Sequence, residues 1–454
     1  MADDPGGSRT SRGVARRAAV GRGGALAAGA LLAACGLPAA PPSESAGSAA
    51  APVGVTLLAR TSETEAFTAR AAQLQERHPR IRLEHTELPG DYPTVIRANA
   101  AAGTLADAIY LQNRSIFGLA AAGTIQPLDA LVRRDRVDLK QWFDNGISAL
   151  RIEGKLYGLP VRGQIQACYL YYNRDAFASA GVREPSEQWT LDDLTSAADK
   201  LTVRDGSRFG YATKWSSAAV ANAGIRRLGG ELLSADGKRC LADTPAALAA
   251  MEWHWDLWHR RRLMNPDPST GPDFGNGKNA MAGSEQGGNR AAYHNAVKGA
   301  FRWSLVQMPK GPTGKLGADL SIDPMGLNAR TAVADQAWTV LQWFTDRETG
   351  VALTQQTASS ASTTPGMRRD VYCDERVLND PNATREVMER FCKAMEAATL
   401  NTYIFPSNFR VTELDEVVVR HLNAFRDNTA APTAATMRAF AAELQAVLDL
   451  PRGG

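Results

Sequence analysis

The sequence has little of several features that would point to a membrane or metal protein. Its longest apolar run, Gly23 to Ala34, is about twelve residues, whereas a membrane-spanning helix needs roughly 20. Only five of the 454 residues are cysteines, and they form no CxxC pair. This argues against a zinc ribbon and a thioredoxin-like redox site. No HExxH motif is present, so the common zinc-hydrolase helix is also unsupported.

Motifs of the common nucleotide-binding and hydrolase sites are absent as well. The stretch GPTGK, which ends at Lys315, lacks the Walker spacing and the Ser or Thr after the lysine. In AGSEQGG, Ala282 occupies the first glycine position of a GxSxG elbow. The carboxylate pair of a glycosidase cannot be judged from spacing, because it depends on proximity in the fold.

The segment MEWHWDLWHRRR, from Met251 to Arg262, is rich in histidine and tryptophan, a composition that suggests a metal site or an aromatic box. Its two histidines, His254 and His259, are five positions apart and do not share a helix face as an i, i+4 pair does. We expect Trp255 and Trp258 to pack in a core, and we expect no metal site here.

Charge is balanced once the amino-terminal segment is set aside. The first 35 residues carry five arginines against Asp3 and Asp4, which leaves 46 basic and 46 acidic residues in the rest of the chain. A balanced chain gives no reason to expect nucleic acid or an anionic membrane surface as a partner. About 400 residues exceed one core, so two or more domains are expected.

The amino-terminal segment has the pattern of an export signal. Arginines precede the short apolar run, and the run ends in small residues. Leu32-Ala33-Ala34-Cys35 resembles the lipobox of bacterial lipoproteins, in which the cysteine is lipidated. An ordinary signal peptide with a chance cysteine is the alternative, and export by the Sec or the twin-arginine route, through Arg16-Arg17, is left open. Residues 36–52, rich in Ala, Pro, Ser and Gly, predict a flexible linker.

Hydrophobic periodicity predicts alternating strands and helices from Val53 onward, which favours an α/β domain with a largely parallel sheet. Predicted strands are Val55–Ala59, Ile81–His85, Ala108–Leu111 and Cys168–Asn173. Thr190 with Asp193 predicts a capped helix start. Other predicted helices are Glu65–His78, Tyr92–Ala102, Thr244–Arg262, Val333–Phe344, Thr384–Ala398 and Thr433–Leu448.

Six segments then carry a resemblance to one family. They are, in order, DAIYLQNRSIFGLAAAGTIQPLDALV (107–132), GKLYGLPV with LYYNRDAFASAGVREPSEQWTLDDL (154–194), GKNAMAGSEQGG (277–288), MPKGPTGK (308–315), QAWTVLQWFTD (336–346) and TTPGMRRD (363–370). In this order and over residues 53–450, the chain resembles the extracellular solute-binding proteins of bacterial ABC importers, in particular the carbohydrate-binding group that includes maltose-binding protein.

The resemblance implies an α/β, two-lobe periplasmic-binding-protein-like fold with a hinge and an interlobe ligand cleft. Carried onto this sequence, lobe one is 53–163 plus 318–362, and lobe two is 164–317 plus 363–454. It implies a non-enzymatic monomer that captures a small carbohydrate or related solute without a cofactor or metal. It also implies delivery to ABC permease subunits, from the outer face of the cell membrane, where Cys35 is the lipid anchor.

Ligands in such folds bind beyond the carboxyl ends of strands. Sugar recognition needs aromatic faces for the ring and planar polar groups for the hydroxyls. The candidate ligand-binding residues in loops and at the hinge are Arg60, Ser62, Glu63, Gln112, Asn113, Arg114, Gln164, Gln166, Trp215, Glu285, Gln286, Asp323, Tyr403 and Asn408.

Two departures from the maltose-binding pattern bear on the ligand. Gln112 follows the third strand where that group has an aromatic residue, and Glu285-Gln286 replaces a tryptophan. These departures argue against maltodextrin and leave a small sugar, a polyol or a non-sugar solute open. An exported glycan hydrolase and a sensing or adhesion module on the same scaffold are the alternative functions.

Four further cysteines, Cys168, Cys240, Cys373 and Cys392, allow three disulfide pairings in an oxidising exterior. Pairing Cys373 with Cys392 and Cys168 with Cys240 is one hypothesis, and free buried thiols are the other.

Overall fold

The computed structural model describes residues 51–60, 64–88, 92–166, 168–213, 218–265, 270–284, 290–355, 368–380, 383–399 and 411–450. These residues all belong to one compact unit, residues 50–454. The predicted signal, the predicted lipidation site Cys35 and most of the predicted linker lie outside them. In the described part, no helix combines the length and the apolar character needed to cross a membrane.

Eleven strands are named within this part of the chain. They are β1 Val53–Arg60, β2 Ile81–Leu88, β3 Ala108–Tyr110, β4 Arg151–Ile152, β5 Lys155–Leu156, β6 Leu159–Gln166, β7 Tyr169–Asn173, β8 Ala212–Thr213, β9 Met281–Ser284, β10 Trp303–Gln307 and β11 Asp319–Leu327.

The α-helices follow the same chain order. They are α1 Thr64–Arg77, α2 Tyr92–Ala102, α3 Asn113–Ala121, α4 Asp129–Arg134, α5 Asp144–Ser148, α6 Arg174–Ser179, α7 Leu191–Leu201, α8 Ala218–Arg227, α9 Pro245–Trp255, α10 Thr270–Gly275, α11 Arg290–Val297, α12 Ala334–Phe344, α13 Arg347–Thr354, α14 Arg369–Tyr372, α15 Glu375–Leu378, α16 Arg385–Thr399, α17 Val411–Arg426 and α18 Ala434–Leu448.

The first sheet has five strands in the order β2-β1-β3-β11-β6. Strands β1, β2 and β3 run parallel, as the alternating pattern predicts. Strand β11 runs antiparallel to both β3 and β6, so the expectation of a largely parallel sheet is wrong for half of this sheet. The sequence pattern conceals β11 because Pro324 lies at its bulge, and proline is depleted from strand interiors.

The second sheet has four strands in the order β10-β7-β9-β8. Its centre, β7, is buried on both faces: Tyr171 packs on Tyr293, and Tyr172 contacts Phe177. Alternation along the strand places the two tyrosines on opposite faces of the sheet. Strands β8 and β9 are parallel neighbours, with Thr213 opposite Gly283.

Most predicted helices are present within a residue or two of their expected ends. The cap at Thr190 is confirmed: its hydroxyl accepts from the Asp193 amide, and the Asp193 carboxylate accepts from the Thr190 amide. The single helix expected over 244–262 is wrong in its last part. There, α9 ends at Trp255 and a π-helical turn, Asp256–Arg260, follows.

Two apolar clusters stabilise these layers. The larger surrounds both sheets, and the smaller packs α8 and α9 against α17 and α18. Trp255 packs on the smaller cluster and Trp258 on both, as expected for core residues. Burying side chains of this size contributes about 1.5–3 kcal/mol each.

Strands β6 and β11 connect the two sheets. They continue past the end of β3 as a two-stranded extension, residues 162–166 paired with 319–323. We call this extension the crossover ladder. From its end at Gln166, three residues lead to Tyr169 at the start of β7. The predicted lobe boundary at 163/164 falls inside β6, and the lobe limits remain a prediction.

The cysteines separate into one bridge and two thiols. Cys373 and Cys392 are joined with a Cα–Cα distance of 5.5 Å, whereas Cys168 and Cys240 are buried free thiols. The hypothesis of a second bridge is therefore wrong. Burial raises the pKa of the Cys168 thiol, and it raises the pKa of Cys240 to about 11, so neither is a reactive thiolate at neutral pH.

Candidate functional site

Strands β1 and β3 end at one edge of the first sheet, and β6 continues past this edge in the same direction. Strands β1 and β3 are parallel, and β6 has the same direction because β11 runs antiparallel to both β3 and β6. Arg60 ends β1, Tyr110 ends β3, and Gln112 caps α3 directly after it. This edge therefore gathers polar side chains from segments about 50 residues apart, as the strand-end argument predicts.

The carboxylate of Asp323, on β11, is the centre of this edge. Its Oδ2 accepts a hydrogen bond from the Tyr110 hydroxyl at 3.1 Å. The same oxygen lies 3.9 Å from Nη1 of Arg60 and 3.8 Å from Nη1 of Arg162. We call these four residues the Asp323 cluster. It places two guanidinium groups around one carboxylate, at the start of the crossover ladder.

The two arginines differ in their access to solvent. The Arg60 side chain is 38% exposed, whereas those of Asp323 and Arg162 are 14% and 8% exposed. Among the described residues, Arg60 makes only the long ion pair with Asp323. At 3.9 Å this pair is not a hydrogen bond. The Arg60 donors can therefore bind the oxygens of a molecule that enters the edge.

The second sheet presents the loops after β8 and β9 at one edge. Because these strands are parallel neighbours, their carboxyl ends at Thr213 and Ser284 lie side by side. Tyr169, at the start of β7, is paired with Ser284 and lies three residues beyond the end of β6. The crossover ladder therefore leads from the Asp323 cluster, at the edge of the first sheet, to this edge of the second sheet.

Close backbone packing shapes the second edge. A side chain at Gly283 would place its Cβ 2.4 Å from the Tyr211 hydroxyl, so a larger residue there must displace the Tyr211 ring. The last turn of α8 holds the segment that enters β11. Arg226 donates to the carbonyl of Ala318 at 3.2 Å, and Arg227 donates to that of Leu316 at 3.0 Å.

Among the predicted site residues, the structure brings together Arg60 and Asp323, and it places Gln112 directly before α3, two residues after Tyr110. Only the backbone is described at four others, Asn113, Arg114, Gln164 and Gln166, of which the first two begin α3 and the last two end β6. Seven predicted residues lie outside the described part of the chain: Ser62, Glu63, Trp215, Glu285, Gln286, Tyr403 and Asn408. Their roles remain predictions.

Two members of the cluster, Tyr110 and Arg162, escape prediction from the sequence. Tyr110 lies in an apolar strand and is fully buried, which is the signature of a core residue. Arg162 follows the YGLPV motif and carries no spacing signal. A charged residue in a run that otherwise reads as buried strand is the one available hint, because unpaired charges are rarely buried.

Both histidines of the 251–262 segment form hydrogen bonds with backbone carbonyls. Nδ1 of His254 donates to the carbonyl of Ala250 at 2.8 Å, and Nε2 of His259 donates to that of Phe425 at 2.9 Å. Burial lowers the pKa of His254 to about 3, so its ring is neutral. Across the described residues, no group of three or more His, Cys, Asp or Glu side chains is arranged to hold a metal.

Comparison with known proteins identifies the family. The model of the bacterial extracellular solute-binding protein family matches residues 60–351. The chain belongs to this family. The match begins at Arg60 and includes every residue of the Asp323 cluster.

Relatives and solved structures agree with this assignment. This solute-binding protein is 24% identical over 294 residues, 61% of its chain and 68% of the relative, to a binding protein of Brucella abortus (strain 2308). The sugar-binding protein MalE of Xanthomonas citri has a TM-score of 0.73 and 15% identity, over 87% of this chain and 97% of MalE.

UgpB of Mycobacterium tuberculosis, in complex with glycerophosphocholine, has a TM-score of 0.70 and 17% identity, over 88% of this chain and 98% of UgpB. At this level of identity the likeness concerns the fold. The solute-binding protein has the two-lobe architecture of periplasmic binding proteins, and the expected fold class is confirmed.

Proposed function

We propose that this protein is the solute-capturing component of an ABC importer, binding a small carbohydrate or a related solute between its lobes and delivering it to the permease subunits. The observation that carries the proposal is the crossover ladder, which leads from the Asp323 cluster on the first sheet to the edge of the second sheet where β8 and β9 end, in a member of the solute-binding family. Ligand that contacts both edges at once shifts the population toward a closed form.

Within the cleft we assign the Asp323 cluster to the first lobe. Arg60 contacts the solute with its free donors, and Asp323 positions Arg60 while Tyr110 and Arg162 hold the carboxylate. The loops that begin after Thr213 and Ser284 supply contacts from the second lobe, with Trp215, Glu285 and Gln286 as the proposed residues. Structural neighbours bind sugars and a phosphodiester, so both classes belong among the candidate solutes.

A thermal-shift screen followed by calorimetry tests the proposal. Monosaccharides, disaccharides, oligosaccharides, polyols and glycerophosphodiesters are added singly to the purified protein. We expect at least one to raise the melting temperature and to bind with a micromolar or tighter Kd, without being converted. Hydrolysis of a glycan, or no stabilising solute among these classes, contradicts the proposal.

Replacement of Arg60 tests the site itself. Arg60→Gln is expected to weaken binding of the solute found in the screen about tenfold or more, since a charge-assisted hydrogen bond is lost. Arg82→Gln is the matched control: Arg82 is an exposed arginine on β2, paired with Glu84. Equal affinities of the two variants remove Arg60 from the site.

Trp215 gives a parallel test for the second lobe. Trp215→Ala is expected to lower the affinity at least tenfold if the indole stacks on the solute, whereas Trp215→Phe keeps an apolar ring and retains most of the affinity. An unchanged Kd in the alanine variant removes Trp215 from the contact surface.

We propose further that Cys35 is lipidated and that residues 36–52 tether the binding domain to the outer face of the membrane. The lipobox-like Leu32-Ala33-Ala34-Cys35 supports this anchor. Cells that express Cys35→Ala are expected to release the protein into the soluble exported fraction, measured by fractionation and immunoblot. A variant that stays in the membrane fraction contradicts the anchor.

A further inference from the structure

Four aromatic rings form a column next to β6. The column begins near the elements that pack on the first sheet and ends at β7 of the second sheet. Its members are Phe143, Tyr372, Phe391 and Tyr169. The successive ring centroids are 5.9, 6.3 and 5.2 Å apart. These separations lie in the range of attractive aromatic pairs. The Cys373–Cys392 bridge joins the residues adjacent to the two central rings.

One end of the column is fixed to the layer of the first sheet. Arg368 lies 4.7 Å over the Trp142 ring and donates to the Gln141 side chain at 2.7 Å. Arg369 lies 4.7 Å over Phe143. Helix α14, which carries Tyr372, also packs on α13, and α13 packs on α1 of the first sheet. The segment 368–373 therefore packs with the elements of the first sheet, although the predicted lobe limits place it in lobe two.

The other end is fixed to the second sheet. Helix α16 packs along β10, and its Phe391 stacks on Tyr169 at the start of β7, with an interplanar angle of 14°. Arg390 donates to the Tyr172 hydroxyl at 3.2 Å and to the Leu305 carbonyl at 3.5 Å. Helix α16 also contacts β6 and α15, so it lies at the junction of the two sheets, and the disulfide ties it to the segment that packs with the first sheet.

The column also touches the crossover itself. The Tyr372 hydroxyl donates to the carbonyl of Gly163 in β6 at 2.9 Å, and this bond is buried. Gly163 lies within the crossover ladder, one residue from Arg162 of the Asp323 cluster. The bridge, the column and the ladder thus lie side by side at the junction of the two sheets.

We propose that the Cys373–Cys392 bridge and the aromatic column together form a fixed pivot for the lobes, which restrains sliding and opening at the crossover ladder. A covalent tie next to the junction removes conformational freedom there, while the lobes can still rotate about it. The proposal rests on the lobe movement of the proposed function, but the pivot can be tested on the protein without solute.

Hydrogen–deuterium exchange of the solute-free protein measures the restraint. The double variant Cys373→Ser with Cys392→Ala is compared with the parent and with Cys240→Ser, which alters a buried free thiol away from the bridge. We expect amides of residues 162–166 and 319–323 to exchange at least threefold faster in the double variant and at the parental rate in the control. Reduction of the folded parent by a phosphine is expected to reproduce the double variant.

Faster exchange confined to residues 368–399, with the ladder unchanged, overturns the proposal because the bridge is then only a local staple. If the double variant fails to fold, Tyr372→Phe gives the decision, since it keeps the ring and the bridge but loses the bond to Gly163. Faster exchange at 163–166 in that variant supports the pivot, and parental exchange rejects it. A solute that binds in the screen while the pivot fails leaves the proposed function intact.

Discussion

The two sheet edges that the crossover ladder joins differ in chemical character. The first edge carries charges, since Arg60 and Arg162 both lie near one carboxylate oxygen of Asp323. The described ends of β8 and β9 instead carry small uncharged residues, Thr213 and Gly283, packed on Tyr211. Charge therefore distinguishes the described part of the first edge from the described part of the second.

The two edges are also built differently. The charged edge depends on ion pairs between residues that are distant in sequence, and the attraction is lost when one partner is removed. The uncharged edge depends on the close approach of the Gly283 backbone to the Tyr211 ring, so an added side-chain atom would collide with that ring. The following four experiments, in order of decreasing expected effect, compare stabilisation by charge with stabilisation by close packing.

The largest effect is expected at the entry to β11. Gly317 has a φ of +72°, and a Cβ there would lie 2.1 Å from the carbonyl oxygen of Ala223 in α8. Gly317→Ala is expected to lower the free energy of unfolding by about 3 kcal/mol or more, because the contact is with backbone. Gly314→Ala is the control: its φ is +74° but its Cβ meets nothing within 4 Å, so about 1 kcal/mol is expected. Urea denaturation measures both, and equal losses refute the close-contact explanation.

Removal of the central carboxylate is expected to rank second. Asp323→Asn removes the negative charge that lies 3.8 Å from Arg162, whose side chain is 8% exposed, and is expected to cost about 2–3 kcal/mol. Tyr110→Phe removes one hydrogen bond to the same oxygen and is expected to cost about 1 kcal/mol. Chemical denaturation of both variants and of the double variant measures the coupling. Strict additivity would mean that the tyrosine and the carboxylate act independently.

The uncharged edge is expected to respond to bulk. Gly283→Ala brings a Cβ within 2.4 Å of the Tyr211 hydroxyl and is expected to cost about 1–2 kcal/mol. Since the nearest atom is that hydroxyl, Tyr211→Phe in the same chain is expected to recover part of the loss. A double variant less stable than Gly283→Ala alone would show that the hydroxyl is not the obstacle.

The smallest expected effect is the pH dependence of the free energy of unfolding that comes from His254, which is buried in α9. Burial lowers the pKa of His254 to about 3 from its ordinary 6.5, so the unfolded chain binds more protons between these values. Stability from this residue is complete above pH 6.5 and declines as the pH falls toward 3, by about 1 kcal/mol between pH 7 and 5.5. His254→Gln is expected to lose this part of the pH slope in urea titrations. An unchanged slope would assign it to other groups.

Local sequence patterns predicted the elements whose stabilisation is local. The capping box at Thr190 and Asp193 needs only four neighbouring residues, and α2 follows its apolar spacing. Strand β11 was missed because Pro324 interrupts its pattern, and its place in the sheet comes from pairing with β3 and β6. The predicted loop residues Arg60 and Asp323 meet in the structure, but the buried Tyr110 between them could not be told from a core residue.

The amino-acid sequence by itself determined the α/β class and the two-lobe family fold, because alternating periodicity and the order of six motifs are written along the chain. Only the tertiary structure decided which distant residues share an atom, as Arg60, Tyr110 and Arg162 share the Asp323 carboxylate. It also decided among the open cysteine pairings, since Cys373 and Cys392 are 5.5 Å apart at their Cα atoms. The physical reason is that ion pairs, ring stacking and disulfides depend on distance in space, which sequence separation does not record.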